Sequence, residues 1–174
     1  MQNVECKYEL RDAELCRLAL SSLKASRVAT LVQTDTYFKL ADGRLKKRES
    51  IADGVAQPVE FIFYHRDNQA KARVSRFTIY SVAEAAQCFG ATEPPTWITV
   101  KKTRELYMID NVRVHLDDVE GLGKFVEFEA LVSPSNNLVK SYDAVHQLQE
   151  ALAPALGGPL SQSYSDMLAT EQAS

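Results

Sequence analysis

Polar and apolar residues alternate without a break through residues 3–10, Asn-Val-Glu-Cys-Lys-Tyr-Glu-Leu. Asn3, Glu5, Lys7 and Glu9 fall on one side, and Val4, Cys6, Tyr8 and Leu10 on the other. A period of two predicts a β-strand with one face against a core. Strand-like segments recur at 27–40, 59–66, 73–80, 96–106, 108–119 and 124–132. The Ala41-Asp42-Gly43 turn leads from the first of these into "RLKKRES", which predicts a hairpin. Between the strands the period changes. In "RDAELCRLALSSLKAS", Leu15, Leu18, Ala19 and Leu23 recur at helical spacing behind Asp12, a candidate N-cap. "SVAEAAQCFGA" reads as a helix capped by Ser81 and closed by Gly90. Two further helices, "LVKSYDAVHQLQEALAPAL" and "SQSYSDMLA", flank a break at "GGPL". The sum is about eight strands and four helices in one domain spanning 1–174, with its core at about 2–168 and a frayed tail from 169.

The charges follow the same parity. Asn111, Arg113, His115 and Asp117 share a face opposite Val112, Val114 and Leu116. Lys102 and Arg104 share one, as do Arg44, Lys46 and Arg48. Phe125, Glu127 and Glu129 lie opposite Val126, Phe128 and Ala130. Arg66 is in phase with Tyr64, and Arg73 with Ser75 and Phe77. Helices pack on apolar sheet faces, so the charged faces must point the other way. Antiparallel strands in this number can close into a barrel, and in a barrel that direction is inward. The plain alternative is the wet face of an open sheet, the usual meaning of an alternating strand. Charged rows on six strands weigh against it.

An enclosed set of nine cations (Lys7, Arg44, Lys46, Arg48, Arg66, Arg73, Lys102, Arg104 and Arg113) needs partners, because buried charge is costly unless paired or solvated. A polyphosphate supplies several negative charges and many acceptor oxygens. Glu5, Asp117, Glu127 and Glu129 would repel that ligand unless cations intervened. Hard carboxylate oxygens suit Mg²⁺ or Mn²⁺, which bridge carboxylates to substrate phosphates.

Composition narrows the partners. The net charge of −3 over 174 residues argues against nucleic acid as a general partner. No apolar run reaches the roughly 18 residues of a membrane span, and no signal stretch opens the chain. Cys6, Cys16 and Cys88 form no CxxC pair, so reduced thiols and a cytoplasmic location are expected.

"NVECKYEL", "DTYFKLADGRLKKRE", "YHRDNQAKARVSRF", "VKKTRELYMIDNVRVHLDDVEGLGKFVEFEA" and "SYSDML" resemble, in order, the CYTH superfamily, or triphosphate tunnel metalloenzymes. That family includes class IV adenylyl cyclases, thiamine triphosphatases and inorganic triphosphatases. The run from Arg104 to Glu129 is most similar to bacterial class IV adenylyl cyclases. The resemblance implies an α+β fold: an eight-stranded antiparallel tunnel with a charged lumen and helices packed outside. It implies that Lys7, Arg44, Lys46, Arg48, Arg66, Arg73, Lys102, Arg104 and Arg113 contact a triphosphate, with Lys7, Lys102, Arg104 and Arg113 catalytic. Glu5, Asp117, Glu127 and Glu129 are the implied metal set, and a homodimer is allowed. Asn3 stands where the family's ExExK signature begins with glutamate, so one negative charge is missing.

The expected reaction is conversion of ATP to 3′,5′-cyclic AMP and pyrophosphate with Mg²⁺ or Mn²⁺. Hydrolysis of tripolyphosphate or thiamine triphosphate uses the same charges, and a binding module without turnover is the alternative that Asn3 raises. His115 is expected to bridge Arg113 and Asp117. Tyr164 is expected to pack against the barrel without a chemical role, and Trp97 to face away from Lys102.

Overall fold

Eight of the alternating segments pair edge to edge until the last meets the first. The computed structural model describes residues 1–174 and places β1 at Gln2–Leu10, α1 at Ala13–Ser22, β2 at Ser26–Phe38 and β3 at Arg44–Ala52. There follow β4 (Val55–Ala56), β5 (Glu60–Arg66), β6 (Arg73–Tyr80), α2 (Val82–Phe89), β7 (Thr96–Ile109) and β8 (Val112–Val119). The chain ends with β9 (Gly123–Leu131), α3 (Leu138–Leu152), a 3₁₀ turn at Ala153–Ala155, β10 (Leu156–Leu160) and α4 (Tyr164–Gln172).

The strand order β1-β6-β5-β3-β2-β7-β8-β9 closes because β1 also pairs β9. Every pairing is antiparallel. One edge of β1 is shared: Gln2–Glu5 pair with β6, and residues 7–10 pair with β10. The "GGPL" segment, read from sequence as a break between helices, is therefore a strand. Its glycines and proline carry no alternation, so nothing announced it. Met108 and Ile109 end β7 and do not begin β8; the turn at Asp110, with φ +50°, separates the two. At the Ala-Asp-Gly turn, Gly43 has φ +70°, and a Cβ there would lie 2.5 Å from the Phe63 ring.

The apolar rows face out of the barrel and are roofed by helices. Val4, Cys6, Val112, Val114, Leu116, Val126 and Phe128 pack under α1 and α3, meeting Cys16, Leu20, Val145, Leu148 and Leu152. The buried side of α1 is thus Cys16 and Leu20; Leu15, Leu18 and Leu23, expected inside, are exposed. The helix turns by about 100° per residue, so Cys16 and Leu20, four apart, share the side turned to the barrel. Phe38, Leu45 and Phe61 pack against Ala85 beneath α2. At one end of the barrel Tyr37, Tyr64, Ile98, Val100, Val119 and Phe125 surround Tyr164 of α4, with Met167 and Leu168 behind it. That helix plugs the end from inside. No helix is long and apolar enough to cross a membrane.

Burial pushes the Cys6 thiol up to about 12 and the Cys16 thiol to about 11, whereas Cys88 is exposed. Because the thiolate is the reactive form, one cysteine per chain should react promptly with a thiol reagent at pH 8. The other two should react only after denaturant is added. Mass spectrometry of the native protein showing prompt labelling of Cys6 or Cys16 would contradict this packing.

Candidate functional site

A cavity of about 390 Å³ runs inside the barrel. Its wall includes Asn3, Glu5, Lys7, Lys46, Arg48, Arg66, Lys102, Arg104, Arg113, Glu127 and Glu129, together with His115, Gln33 and Tyr164. Most of the residues chosen by strand parity are therefore brought to one enclosed space. Three are not on its surface. Arg44 shares the parity of Lys46 and Arg48 but lies beyond the plug, donating to Ser163 Oγ at 2.7 Å and pairing with Asp166 at 2.9 Å. Arg73 is buried against Glu5 at 3.4 Å and donates to the Gln69 carbonyl. Asp117 lies behind Arg104, which binds both its oxygens at 2.7 Å, while the Tyr164 hydroxyl donates to it at 2.6 Å.

The charges are sorted by wall. In the closed order, β3, β2 and β7 are consecutive, and β1 and β9 lie across the lumen from them. Lys46, Arg48, Lys102 and Arg104 project from the first group; Asn3, Glu5, Glu127 and Glu129, with the single cation Lys7, from the second. Cross-strand register sets the acids Glu5 and Glu129 opposite one another and Lys7 opposite Glu127.

The basic wall is organised by a residue that sequence reading missed. Asp35 is fully buried and accepts from Lys46 at 3.1 Å, from Lys102 at 2.9 Å and from Arg48 through two bonds of 2.7 and 2.8 Å. Burial alone would raise its pKa, but Arg48, Lys102 and Lys46 hold it well below the usual carboxylate range. Burial lowers Lys102 to about 7, against the pull of Asp35 and with the help of Arg48, Arg104 and Lys46. The signal for Asp35 was its phase with Gln33 and Tyr37. Tyr164 has a similar anchoring role, with Lys7 Nζ 3.8 Å from its ring centroid.

On the acidic wall Glu5 is tied to Arg66 at 3.2 Å as well as to Arg73, and Arg113 pairs with Glu129 at 3.0 Å. Burial and the Glu127 charge push Glu129 up to about 8. Burial also opposes ionisation of Glu127, yet Lys7 and Arg104 keep it charged. Two buried carboxylates that cannot both ionise comfortably are a site short of positive charge. Ligand atoms of His115, Glu127 and Glu129 lie within 4.8 Å of one another. His115 does not bridge Arg113 and Asp117, since each of those is engaged elsewhere. Its Nδ1 is 3.9 Å from Glu127 and has no hydrogen-bond partner, and Asn3 Oδ1 is likewise buried and unpartnered. The two carboxylates and the imidazole fit a divalent cation. Of the four acids chosen from sequence, Glu127 and Glu129 come together there. Glu5 and Asp117 lie outside that group, paired with Arg66 and Arg73 and with Arg104, as Glu129 is with Arg113.

The fold and the lumen together define a triphosphate tunnel, and the chain belongs to the CYTH family: the CYTH domain matches residues 1–157. It is 31% identical, over 96% of its length and 98% of the relative's, to a Methanocaldococcus jannaschii protein named "Putative adenylate cyclase MJ0240". Among solved structures it superposes on the PH1819 protein of Pyrococcus horikoshii OT3 with a TM-score of 0.74 at 22% identity, covering 97% of this chain and 99% of that one. The Hippeastrum protein HpAC1, described as having a dominant triphosphatase activity, aligns with a TM-score of 0.61 at 12% identity over 98% and 96% of the two chains. At these identities the two structures share the fold.

Removing the carboxylate that three cations share should weaken the barrel directly. Asp35→Asn is expected to cost about 3 kcal/mol of unfolding free energy, the scale for breaking a buried ion pair. Added tripolyphosphate should restore part of it. Urea denaturation would check this, and a variant as stable as the parent would show that Asp35 does not organise that wall.

Proposed function

We propose that the protein is a divalent-metal-dependent enzyme acting on an organic triphosphate, and that its reaction is cyclisation of ATP to 3′,5′-cyclic AMP with release of pyrophosphate. The observation that carries this reading is the opposition of a basic and an acidic wall across one lumen. Lys46, Arg48, Lys102 and Arg104 take the phosphate oxygens, and guanidinium forks fix their orientation. Glu127 and Glu129, with His115 as a third donor, hold Mg²⁺ or Mn²⁺, which when bound supplies Lewis-acid charge neutralisation at the phosphates.

Eight basic side chains form the lumen's ion pairs with five carboxylates, leaving positive charge for an anion to match. The cavity wall away from the plug carries Leu31, Leu106, Ile79 and Pro58 beside Gln57 and Glu60. An inorganic polyphosphate has no use for such an apolar surface, whereas a nucleoside does. In the reaction the ribose 3′-oxygen bonds to the α-phosphorus as the bond to the β-phosphate bridge breaks. Lys102, Arg104 and Arg113 stabilise charge moving onto the departing pyrophosphate. The hydroxyl proton leaves to pyrophosphate or solvent. Lys7, held between Glu127 and the Tyr164 ring, positions the acidic wall. The name of the M. jannaschii relative supports this reading. A second reading is hydrolysis of the terminal phosphoryl group, favoured by the triphosphatase activity described for the Hippeastrum protein. It uses the same cations with water as the attacking group.

Purified protein with Mg²⁺ or Mn²⁺, offered ATP and tripolyphosphate separately, should yield cyclic AMP and pyrophosphate from ATP. Orthophosphate from tripolyphosphate, with no cyclic product, would replace the first reading with the second. Binding without turnover would leave only a sequestering role. Lys102→Ala and Glu129→Ala should each lower turnover by at least about 100-fold, the scale for losing one preorganised electrostatic contact. Their circular dichroism should remain that of the parent. Undiminished rates in both would overturn the assignment of the two walls.

A further inference from the structure

The cations of the basic wall are engaged with Asp35 or Asp117, but one polar atom on that wall has no partner. Gln33 stands on β2 between Leu31 and Asp35 in the inward row, lines the cavity and is only 4% exposed. Its Nε2 donates to the hydroxyl of Ser50, the cross-strand neighbour on β3, at 3.1 Å. Its Oε1 is buried and accepts from nothing. Lys102, the neighbour on β7, does not supply a donor, because its ammonium turns to Asp35. The other buried side-chain atoms without hydrogen-bond partners, on Asn3, Arg73, Arg113 and His115, belong to β1, β6 and β8. A buried acceptor without a donor carries a desolvation cost that a ligand can relieve.

The phosphates cannot be that partner. Ionised phosphate oxygens accept hydrogen bonds, so Gln33 Oε1 calls for an O–H or N–H on the organic part of the substrate. Its height in the barrel says which part. Along β2 the inward row runs Tyr37, Asp35, Gln33, Leu31 from the plug towards the open end. Tyr37 sits with Tyr164 at the plug, and Asp35 gathers Lys46, Arg48 and Lys102, where the phosphates are held. Leu31 belongs to the apolar wall that suits a nucleoside. Gln33 is one inward step, about 7 Å of strand, from each of Asp35 and Leu31. Lys102 and Arg104 flank Gln33 and Leu31 in register but reach away from them, to Asp35 and Asp117. Between the phosphates and the base of a nucleoside triphosphate lies the sugar.

We propose that Gln33 is the sugar contact of this site, its Oε1 accepting a hydrogen bond from the ribose 2′-hydroxyl, and that it selects ribonucleoside over 2′-deoxyribonucleoside triphosphates. The inference rests on reading the lumen as a nucleoside triphosphate site. In cyclisation the 3′-hydroxyl loses its proton and bonds to phosphorus, so the 2′-hydroxyl is the donor that persists from substrate to product. A neutral amide suits the task, since it accepts without adding negative charge beside the phosphates. Ser50 holds the amide by its other end, which turns the oxygen in advance and limits the freedom lost on binding. A site that hydrogen-bonds a substrate hydroxyl rejects the analogue lacking it, because the protein group is then buried unpaired.

Calorimetric titration of the full chain in EDTA, where neither metal-dependent reaction runs, compares ATP, 2′-deoxy-ATP and tripolyphosphate. The parent should bind ATP at least about tenfold more tightly than 2′-deoxy-ATP, the lower scale for leaving a buried acceptor unpaired. Gln33→Leu should erase that difference by weakening ATP, with no matching loss for tripolyphosphate, which has no sugar. Ser50→Ala keeps the amide but frees its orientation, and should narrow the difference without erasing it. Circular dichroism of each variant separates a lost contact from a lost fold. Equal affinity of the parent for the two nucleotides overturns the proposal. So does a preference that survives Gln33→Leu undiminished or, should that variant misfold, survives Ser50→Ala. In those cases tripolyphosphate that still binds leaves the triphosphate site standing; tripolyphosphate that fails to bind removes the site and this inference together.

Discussion

Enclosing ionised side chains is the constraint on which this structure turns. A closed barrel removes its inner face from bulk water, and each charge there must find a partner or lose its ionisation. Most of the lumen's ion pairs cross from one strand to another. Asp35 joins β2 to both β3 and β7, Arg104 joins β7 to Asp117 on β8, and Lys7 joins β1 to Glu127 on β9. The interactions that neutralise the interior therefore also hold the strands in register. Glu5 ties β1 to β5 and β6, on the side of β1 away from the closing pair with β9.

The compensation is incomplete, and where it fails is informative. Across the lumen from the Asp35 knot, Glu127 and Glu129 compete for ionisation while His115 Nδ1 and Asn3 Oδ1 lack partners. Unmet acceptors and a retained proton on one wall, with excess cations on the other, describe a container for a metal-bound polyanion. Asp117 accepts from Arg104 and from Tyr164, which links β7 and β8 to the plug helix.

Strand parity made most of the site legible because strict alternation on β1, β8 and β9 leaves a side chain only two directions. The readings that differ have specific causes. On β2 the pattern is inverted: the inward row Leu31, Gln33, Asp35 and Tyr37 mixes apolar and polar residues, while the outward row holds Val28 and Val32. Hydropathy alone could not tell which row faced the lumen, so Asp35 passed unnoticed. Arg44 has the right phase but lies too far along β3, where only the position of α4 shows that Asp166 takes it. Tyr164 gains its role from a helix returning to the barrel's end, a tertiary fact with no local signature. β10 is invisible because Gly157, Gly158 and Pro159 carry neither alternation nor β propensity.

Family membership and the two-walled lumen place this chain among proteins built to handle triphosphates. Its departure from the family signature is the amide at position 3. The claim beneath all of it is that metal and polyphosphate meet inside the barrel on opposite sides. A crystal structure with tripolyphosphate and Mn²⁺, using anomalous scattering to locate the ion, tests that most directly. The account predicts a manganese peak in coordinating contact with Glu127 and Glu129, and phosphate oxygens against Lys46, Arg48 and Lys102. Ordered phosphate and manganese found only on the exterior would contradict it.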